Sequence, residues 1–207
     1  MRIILVRHGR TASNTKNLLD TAAPGADLDD VGRHQAEELI GRLAGVDVAA
    51  VYASTLVRAQ QTVAPLAASR GLALGVLDGL REIGAGDDEM SPDADRYLRT
   101  LTTWKDDLSA RVPGGEDGHE FFARFDAAIA AVTRTGDGSL AASHGAALRV
   151  WGSHRVRGFD EALGQWGGLA NTAVIAIDGT PEDGWTLANV DGVDTYHWSP
   201  AAWAGDG

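Results

Sequence analysis

Arg2-Ile3-Ile4-Leu5-Val6-Arg7-His8-Gly9, near the start of the chain, decides how the rest is read. Residues 3–6 form a short apolar run rich in β-branched side chains, which predicts a buried strand. Beyond it the chain alternates. Asp29 or Asp30 is placed to cap a helix on which Val31, Ala36, Leu39, Ile40 and Leu43 share one face. Residues 46–53 predict a second strand. Ser54 or Thr55 then caps a helix reaching residue 70, in which Pro65 should kink the helix or mark its end. Residues 72–77 predict a third strand. A polar, acidic stretch at 84–95 and a weaker helical segment to residue 110 follow, until Pro113-Gly114-Gly115 breaks the chain. Phe122, Phe125, Ile129 and Val132 recur at helical spacing. Residues 139–143 predict a fourth strand, and Gly145 opens a helix carrying Leu148 and Trp151. Residues 173–177 and 185–190 predict two more strands joined by a turn at 180–184. Strands alternating with helices make an α/β fold on a largely parallel sheet.

Composition narrows the function. The chain has 207 residues, with 18 Lys+Arg against 29 Asp+Glu, a net charge of −11. That length suits a single domain, 1–207, with an inserted acidic and helical segment at 83–112. Cysteine is absent, which excludes disulfides, thiolate catalysis and cysteine-based metal or iron–sulfur sites. The acidity argues against nonspecific binding to nucleic acid or membranes. No stretch is long enough to span a bilayer. The apolar run of four before Arg7 is too short for a signal-peptide core, so a cytoplasmic location is expected. Oligomeric state is not readable from the sequence.

In sheets of this kind ligands sit beyond the carboxyl ends of the strands. The first strand ends in Arg7-His8-Gly9 and the fourth in Ser143-His144-Gly145, while the second runs into Ser54-Thr55-Leu56-Val57-Arg58. Two histidines and two arginines are thus delivered to one edge. The glycines after each histidine permit close packing and leave room for a ligand. Helix N-termini there add partial positive charge and free N–H groups. Such an edge suits an anion, and arginine forks suit phosphate oxygens in particular.

Each piece alone has an ordinary explanation. An Arg-His-Gly triplet arises by chance, a helical arginine is usually solvated or ion-paired, and a strand-end histidine is usually structural. His34, His119, His154 and His197 are expected to be surface or structural residues. Glu116 is expected to organise a helix start, and Asp87-Asp88-Glu89 to be a solvated acidic loop. The tryptophans at 104, 151, 166, 185, 198 and 203 are expected in packing, with Trp166 the alternative candidate for a substrate wall.

Taken together, these residues resemble the histidine phosphatase superfamily, branch 1, also called the phosphoglycerate mutase-like family. Arg7-His8-Gly9-Arg10-Thr11-Ala12-Ser13-Asn14 looks like its R-H-G-x-T-x-x-N signature. The stretch from Ser54 to Thr62 resembles S-x-L-x-R-A-x-x-T. Leu80-Arg81-Glu82, Pro113-Gly114-Gly115-Glu116, Ser143-His144-Gly145 and Asn171-Thr172 are similar to further motifs, in family order. The resemblance implies a three-layer α/β/α sandwich with a mostly parallel central sheet. It implies that His8 is a nucleophile forming a phosphohistidine and that Glu82 is the proton donor. Arg7, Arg58 and His144 would hold phosphoryl oxygens, with Asn14, Gly145 and Thr11 beside them. Two arginines and a protonated His144 would carry the positive charge, so no metal or other cofactor is expected, and the partner is a small phosphorylated substrate.

The chain also departs from the mutase branch. That branch follows its proton donor with a basic, tyrosine-containing segment, whereas here Ile83-Gly84-Ala85-Gly86-Asp87-Asp88-Glu89 carries acids. A second acidic group on the substrate would be repelled, which favours hydrolysis. The stretch from Glu82 to Met90 looks more like fructose-2,6-bisphosphatase domains, and Arg10 adds a cation beside the pocket. Two alternatives stay open: a phosphoglycerate mutase-type phosphotransferase, and a non-catalytic relative that binds phosphorylated ligands.

Overall fold

The computed structural model describes residues 1–164 and 168–194. Seven strands form one sheet: β1 (Arg2–Arg7), β2 (Ala50–Ala53), β3 (Leu74–Val76), β4 (Ser139–Ser143), β5 (Val156–Arg157), β6 (Gly168–Thr180) and β7 (Gly184–Asp194). Their spatial order is β3-β2-β4-β1-β6-β7-β5. Only β6 pairs antiparallel with its neighbours, so six strands run one way and β6 opposes them.

The helices are α1 (Ala12–Thr15), α2 (Asp30–Arg42), α3 (Val57–Ser69), α4 (Asp95–Thr103), α5 (Gly118–Thr133), α6 (Gly145–Arg155) and α7 (Phe159–Leu163). Strand alternation assigns them to two layers. On β1, Ile3 and Leu5 join a core with residues of α4, α5, α6 and α7, including Leu101, Phe125, Trp151 and Phe159. Ile4 and Val6 face the other way, into a core with Leu39 of α2 and Val63 and Leu66 of α3. Each such fully buried aliphatic side chain contributes about 1.5–3 kcal/mol. The result is the expected three-layer sandwich.

Helix ends follow local chemistry. Asp29 caps α2 by accepting the Gly32 N–H at 2.8 Å. Asp117 caps α5 in a reciprocal box with Glu120. The expected cap for α3 is not found: the N-cap position is Leu56, with no side-chain hydrogen bond. Pro65 does not end α3, which continues to Ser69. Burial of Val63, Leu66 and Ala67 against the sheet offsets the roughly 3 kcal/mol that an interior proline costs. The second strand starts at Ala50, later than expected, while β6 and β7 both extend well beyond their predicted apolar runs. The helical segment expected to reach residue 110 ends at Thr103. Among the described residues, no helix is long and apolar enough to cross a membrane.

Candidate active site

Strand register builds the centre of the site. β1 and β4 are parallel with Arg7 opposite Ser143, so the next residues, His8 and His144, emerge side by side. Their rings lie 5.2 Å apart between centroids, tilted by 52°. On the other flank β2 pairs with β4, Ala53 opposite Ala142. That puts Ser54 beside His144, with Ser54 Oγ 2.6 Å from His144 Nε2. The hydroxyl wanted as a helix cap is therefore engaged with the second histidine.

Both histidines are almost fully buried. His8 Nδ1 lies 2.7 Å from the carbonyl oxygen of Gly9. A carbonyl only accepts, so Nδ1 carries the proton and the Nε2 lone pair is left for chemistry. Burial, then the charges of Arg58 and Arg7, hold the His8 ring well below the usual histidine range, so it is neutral. His144 is likewise pushed well below that range, by burial and then by Arg58 and His8. Taking a proton while buried beside two arginines is unfavourable for His144. Its Nδ1 is buried without a hydrogen-bond partner.

Arg58 sits in the first turn of α3 and is buried. Its Nη2 donates to the Asp20 carbonyl at 2.7 Å, and its Nη1 lies 3.7 Å from the Asp20 carboxylate but makes no hydrogen bond. Burial pulls its pKa down, although a guanidinium stays charged. Arg7 closes the other side, donating Nη1 to the Leu169 carbonyl. The glycines after the two histidines serve different ends. A Cβ on Gly9 would lie 2.9 Å from the Gly32 backbone oxygen, and one on Gly145 would lie 3.1 Å from Arg7 Nε. The first permits packing against α2; the second makes room for an arginine.

Glu82 is buried below this cluster. Its carboxylate accepts N–H groups from Ile83 at 2.9 Å, Ala146 at 3.1 Å and Ala147 at 2.8 Å. Burial nevertheless outweighs those bonds and the nearby Arg58, raising the Glu82 carboxyl above its usual value. Asn14 Oδ1 accepts from the Thr11 N–H at 3.1 Å and from Asn171 Nδ2 at 3.2 Å, which leaves its own amide N–H groups for a ligand. Thr11 is buried at the start of α1, in contact with Asn14. Its hydroxyl caps α1 by accepting the Asn14 N–H at 3.2 Å, and neither Thr11 nor His144 is on the lining of the adjoining cavity.

A cavity of about 470 Å³ opens over these groups, lined by Arg7, His8, Asn14, Arg58, Glu82 and Gly145 at its polar end. Its remaining walls hold residues that the sequence did not single out, among them Asp20, Tyr97 and Leu98. Tyr97 is buried and donates its hydroxyl to the Ile83 carbonyl at 2.9 Å. The expected solvated acidic loop is corrected at Glu89, whose carboxylate accepts from Thr21 N at 2.8 Å, Ala22 N at 3.0 Å and the Thr21 hydroxyl. It stitches the 18–25 loop to the segment after Glu82. Glu116 does not cap α5. It pairs with Arg124, whose guanidinium also donates to the carbonyls of Gly79, Arg81 and Glu82 at 2.8 to 3.0 Å. His34 and His119 are exposed and His154 is half-buried, as expected; Trp104, Trp151 and Trp185 are in the core. Trp166, His197, Trp198 and Trp203 lie outside the described residues.

Comparison with known proteins places this geometry. The family model for the histidine phosphatase superfamily, branch 1, matches residues 3–191. The chain belongs to that superfamily. Among its relatives is a PE-PGRS family protein, PE_PGRS11, of Mycobacterium tuberculosis, 35% identical over 212 residues. That match covers 92% of this chain but only 36% of the longer protein. A protein named probable phosphoglycerate mutase GpmB, from an Enterobacter species, is 30% identical over 156 residues, covering 72% of this chain and 71% of its own. The adenosylcobalamin/alpha-ribazole phosphatase of Escherichia coli is 32% identical over 131 residues, covering 60% of this chain and 62% of its own. A solved mycobacterial glucosyl-3-phosphoglycerate phosphatase, complexed with VO3, shares the superfamily fold with a TM-score of 0.74 at 24% identity, covering 92% of this chain and 98% of that one.

Proposed function

We propose that this chain is a phosphatase of small phosphomonoesters that works through a phosphohistidine on His8, without a metal, with Glu82 as proton donor. The observation that carries the reading is the 2.7 Å contact of His8 Nδ1 with the Gly9 carbonyl, which fixes the tautomer and frees Nε2. Nε2 attacks phosphorus as the bond to the leaving oxygen breaks, and Glu82 protonates that oxygen. Water then attacks the phosphohistidine while the Glu82 carboxylate takes its proton. The P–N bond breaks, releasing phosphate and restoring His8. Arg7, Arg58 and Asn14 stabilise charge on the transferring oxygens. A bound phosphate dianion would offset the cationic surroundings that keep His144 neutral, so His144 gains a proton and donates a further bond.

Hydrolysis is favoured over mutase transfer by the segment after Glu82. No lysine or arginine occurs from Ile83 to Asp95, and Arg96 is paired with Asp88. The phosphatase among the relatives points the same way, although a named mutase stands beside it. The deciding experiment is phosphate release from a panel of phosphomonoesters in EDTA, for the native chain and His8→Ala. Release should require His8 and survive the chelator. Retention of about a tenth of the rate by His8→Ala rules out the phosphohistidine route. Inactivation by EDTA that a divalent ion reverses rules out the metal-free one. Transfer between positions of one substrate with little phosphate released selects the mutase.

A further inference from the structure

Away from His8 the cavity changes character. Its apolar lining comes from Leu18 and Leu19 in the loop after α1, Ala94, Tyr97 and Leu98 at the start of α4, and Leu169 of β6, beside polar groups such as Thr15, Asn17 and Gln35. Tyr97 lines the cavity with its hydroxyl already donated to the Ile83 carbonyl, so it brings no free polar group there. The cations on the lining have assignments: Arg7 and Arg58 stand at the phosphoryl end, and Arg10 is tied to α2. Arg10 Nε is 2.8 Å from an Asp29 carboxylate oxygen, and Asp20 faces Arg58 at 3.7 Å. The carboxylates on the lining are Asp20 and Glu82.

We propose that this wall receives an uncharged leaving group with an apolar body the size of a ring, so that the preferred substrates carry one phosphate and no second anion. The inference rests on the phosphatase reading of the same site. A carboxylate or second phosphate on the leaving group would lose water against leucines and an aromatic ring, and among the described lining residues the cation outside the phosphoryl end, Arg10, is already paired with Asp29. A ring placed there buries apolar surface on both partners. A cavity of this size accommodates phosphate and ring together.

Titration calorimetry on the full chain with two unreactive phosphonates tests the wall without requiring turnover. Benzylphosphonate presents a ring, and 3-phosphonopropionate presents a carboxylate. Benzylphosphonate should bind about tenfold more tightly or better. Leu18→Arg adds a cation at a half-buried wall position and should shrink that ratio by about fivefold or more. Equal affinities, tighter binding of 3-phosphonopropionate, or an unchanged ratio in Leu18→Arg overturn the inference. Phosphate release from benzyl phosphate, compared between the native chain and His8→Ala, separates the two claims. A ring preference with no release dependent on His8 defeats the phosphatase reading and, with it, the assignment of the wall to a leaving group.

Discussion

Glu82 Oε1 accepts the backbone N–H of Ala147 at 2.8 Å, so the proposed proton donor is also bonded into the first turn of α6. His144 occupies the N-cap position of that helix and makes no side-chain cap bond there. Glu82 supplies what His144 does not, and the two groups are held as one unit. The arrangement also sets a balance. Free amides at a helix N-terminus favour a carboxylate, whereas burial favours the neutral acid. Burial prevails, and a carboxyl with a raised pKa can hold a proton to donate nearer neutral pH.

Glu82→Gln therefore separates capping from acid catalysis. Glutamine keeps an oxygen for the Ala147 N–H but has no acidic proton. For an alkyl phosphate, kcat should fall by roughly 10²–10⁴-fold. For p-nitrophenyl phosphate, whose leaving oxygen needs little protonation, the loss should be much smaller. Measuring kcat on both substrates decides the matter, and equal losses reject Glu82 as the donor.

The two buried histidines should shape stability against pH. Both fold into states with pKa well below the histidine value of 6.5. The unfolded chain takes up protons below that value that the folded chain refuses. Stability is thus fully present above pH 6.5 and is lost as pH falls below it, by up to about 1.4 kcal/mol per pH unit for each histidine. Urea unfolding of the native chain and of His8→Gln, from pH 7.5 down to 5.5, should show a shallower loss in the variant. Parallel curves would mean that His8 takes its proton normally in the folded protein.

The fold and the strand-end residues were legible because they depend on short-range pattern. An apolar run followed by Arg7-His8, or by His144, announces a strand delivering a side chain to the sheet edge. Glu82 was legible only through family resemblance, since no periodicity marks it. The supports around it were hidden by distance in sequence. Glu89 reaches back 68 residues to Thr21, and Arg124 reaches back 42 to the Glu82 carbonyl. Such contacts join side chains to loop backbone and leave no periodic trace. The capping role of Thr11 was hidden for a different reason: a hydroxyl that caps a helix and one that binds phosphate look the same in sequence. Pro65 misled because packing of α3 on the sheet outweighs a local propensity.

The Glu116–Arg124 pair should act on chemistry through Glu82. Arg124 donates to the carbonyls of Gly79, Arg81 and Glu82, while Glu116 accepts the Gly84 N–H at 3.0 Å. Both side chains are nearly buried, so removing one partner leaves the other's charge less well compensated, with Arg81 still 3.6 Å from Glu116. Glu116→Gln retains an acceptor for Gly84 and is the milder probe. It should lower kcat for alkyl phosphates by roughly tenfold, with less effect on p-nitrophenyl phosphate, and it should displace the acidic-group limb of the pH profile. A uniform loss on all substrates with an unmoved pH profile would leave the pair a purely structural role.

Gly145 tests the phosphate end of the site without removing any charged group. A methyl there would lie 3.1 Å from Arg7 Nε, closer than a relaxed contact, and Arg7 would have to yield. Gly145 is the first residue of α6 and has an ordinary backbone conformation, so alanine should not strain the helix. Gly145→Ala should keep the thermal midpoint close to that of the native chain. It should also weaken inhibition by inorganic phosphate and lower kcat/KM by roughly 5- to 30-fold, the range for about 1–2 kcal/mol of misplaced binding. If phosphate inhibition and kcat/KM are both unchanged, Arg7 is not held against a transferring phosphoryl group at the position the structure gives it.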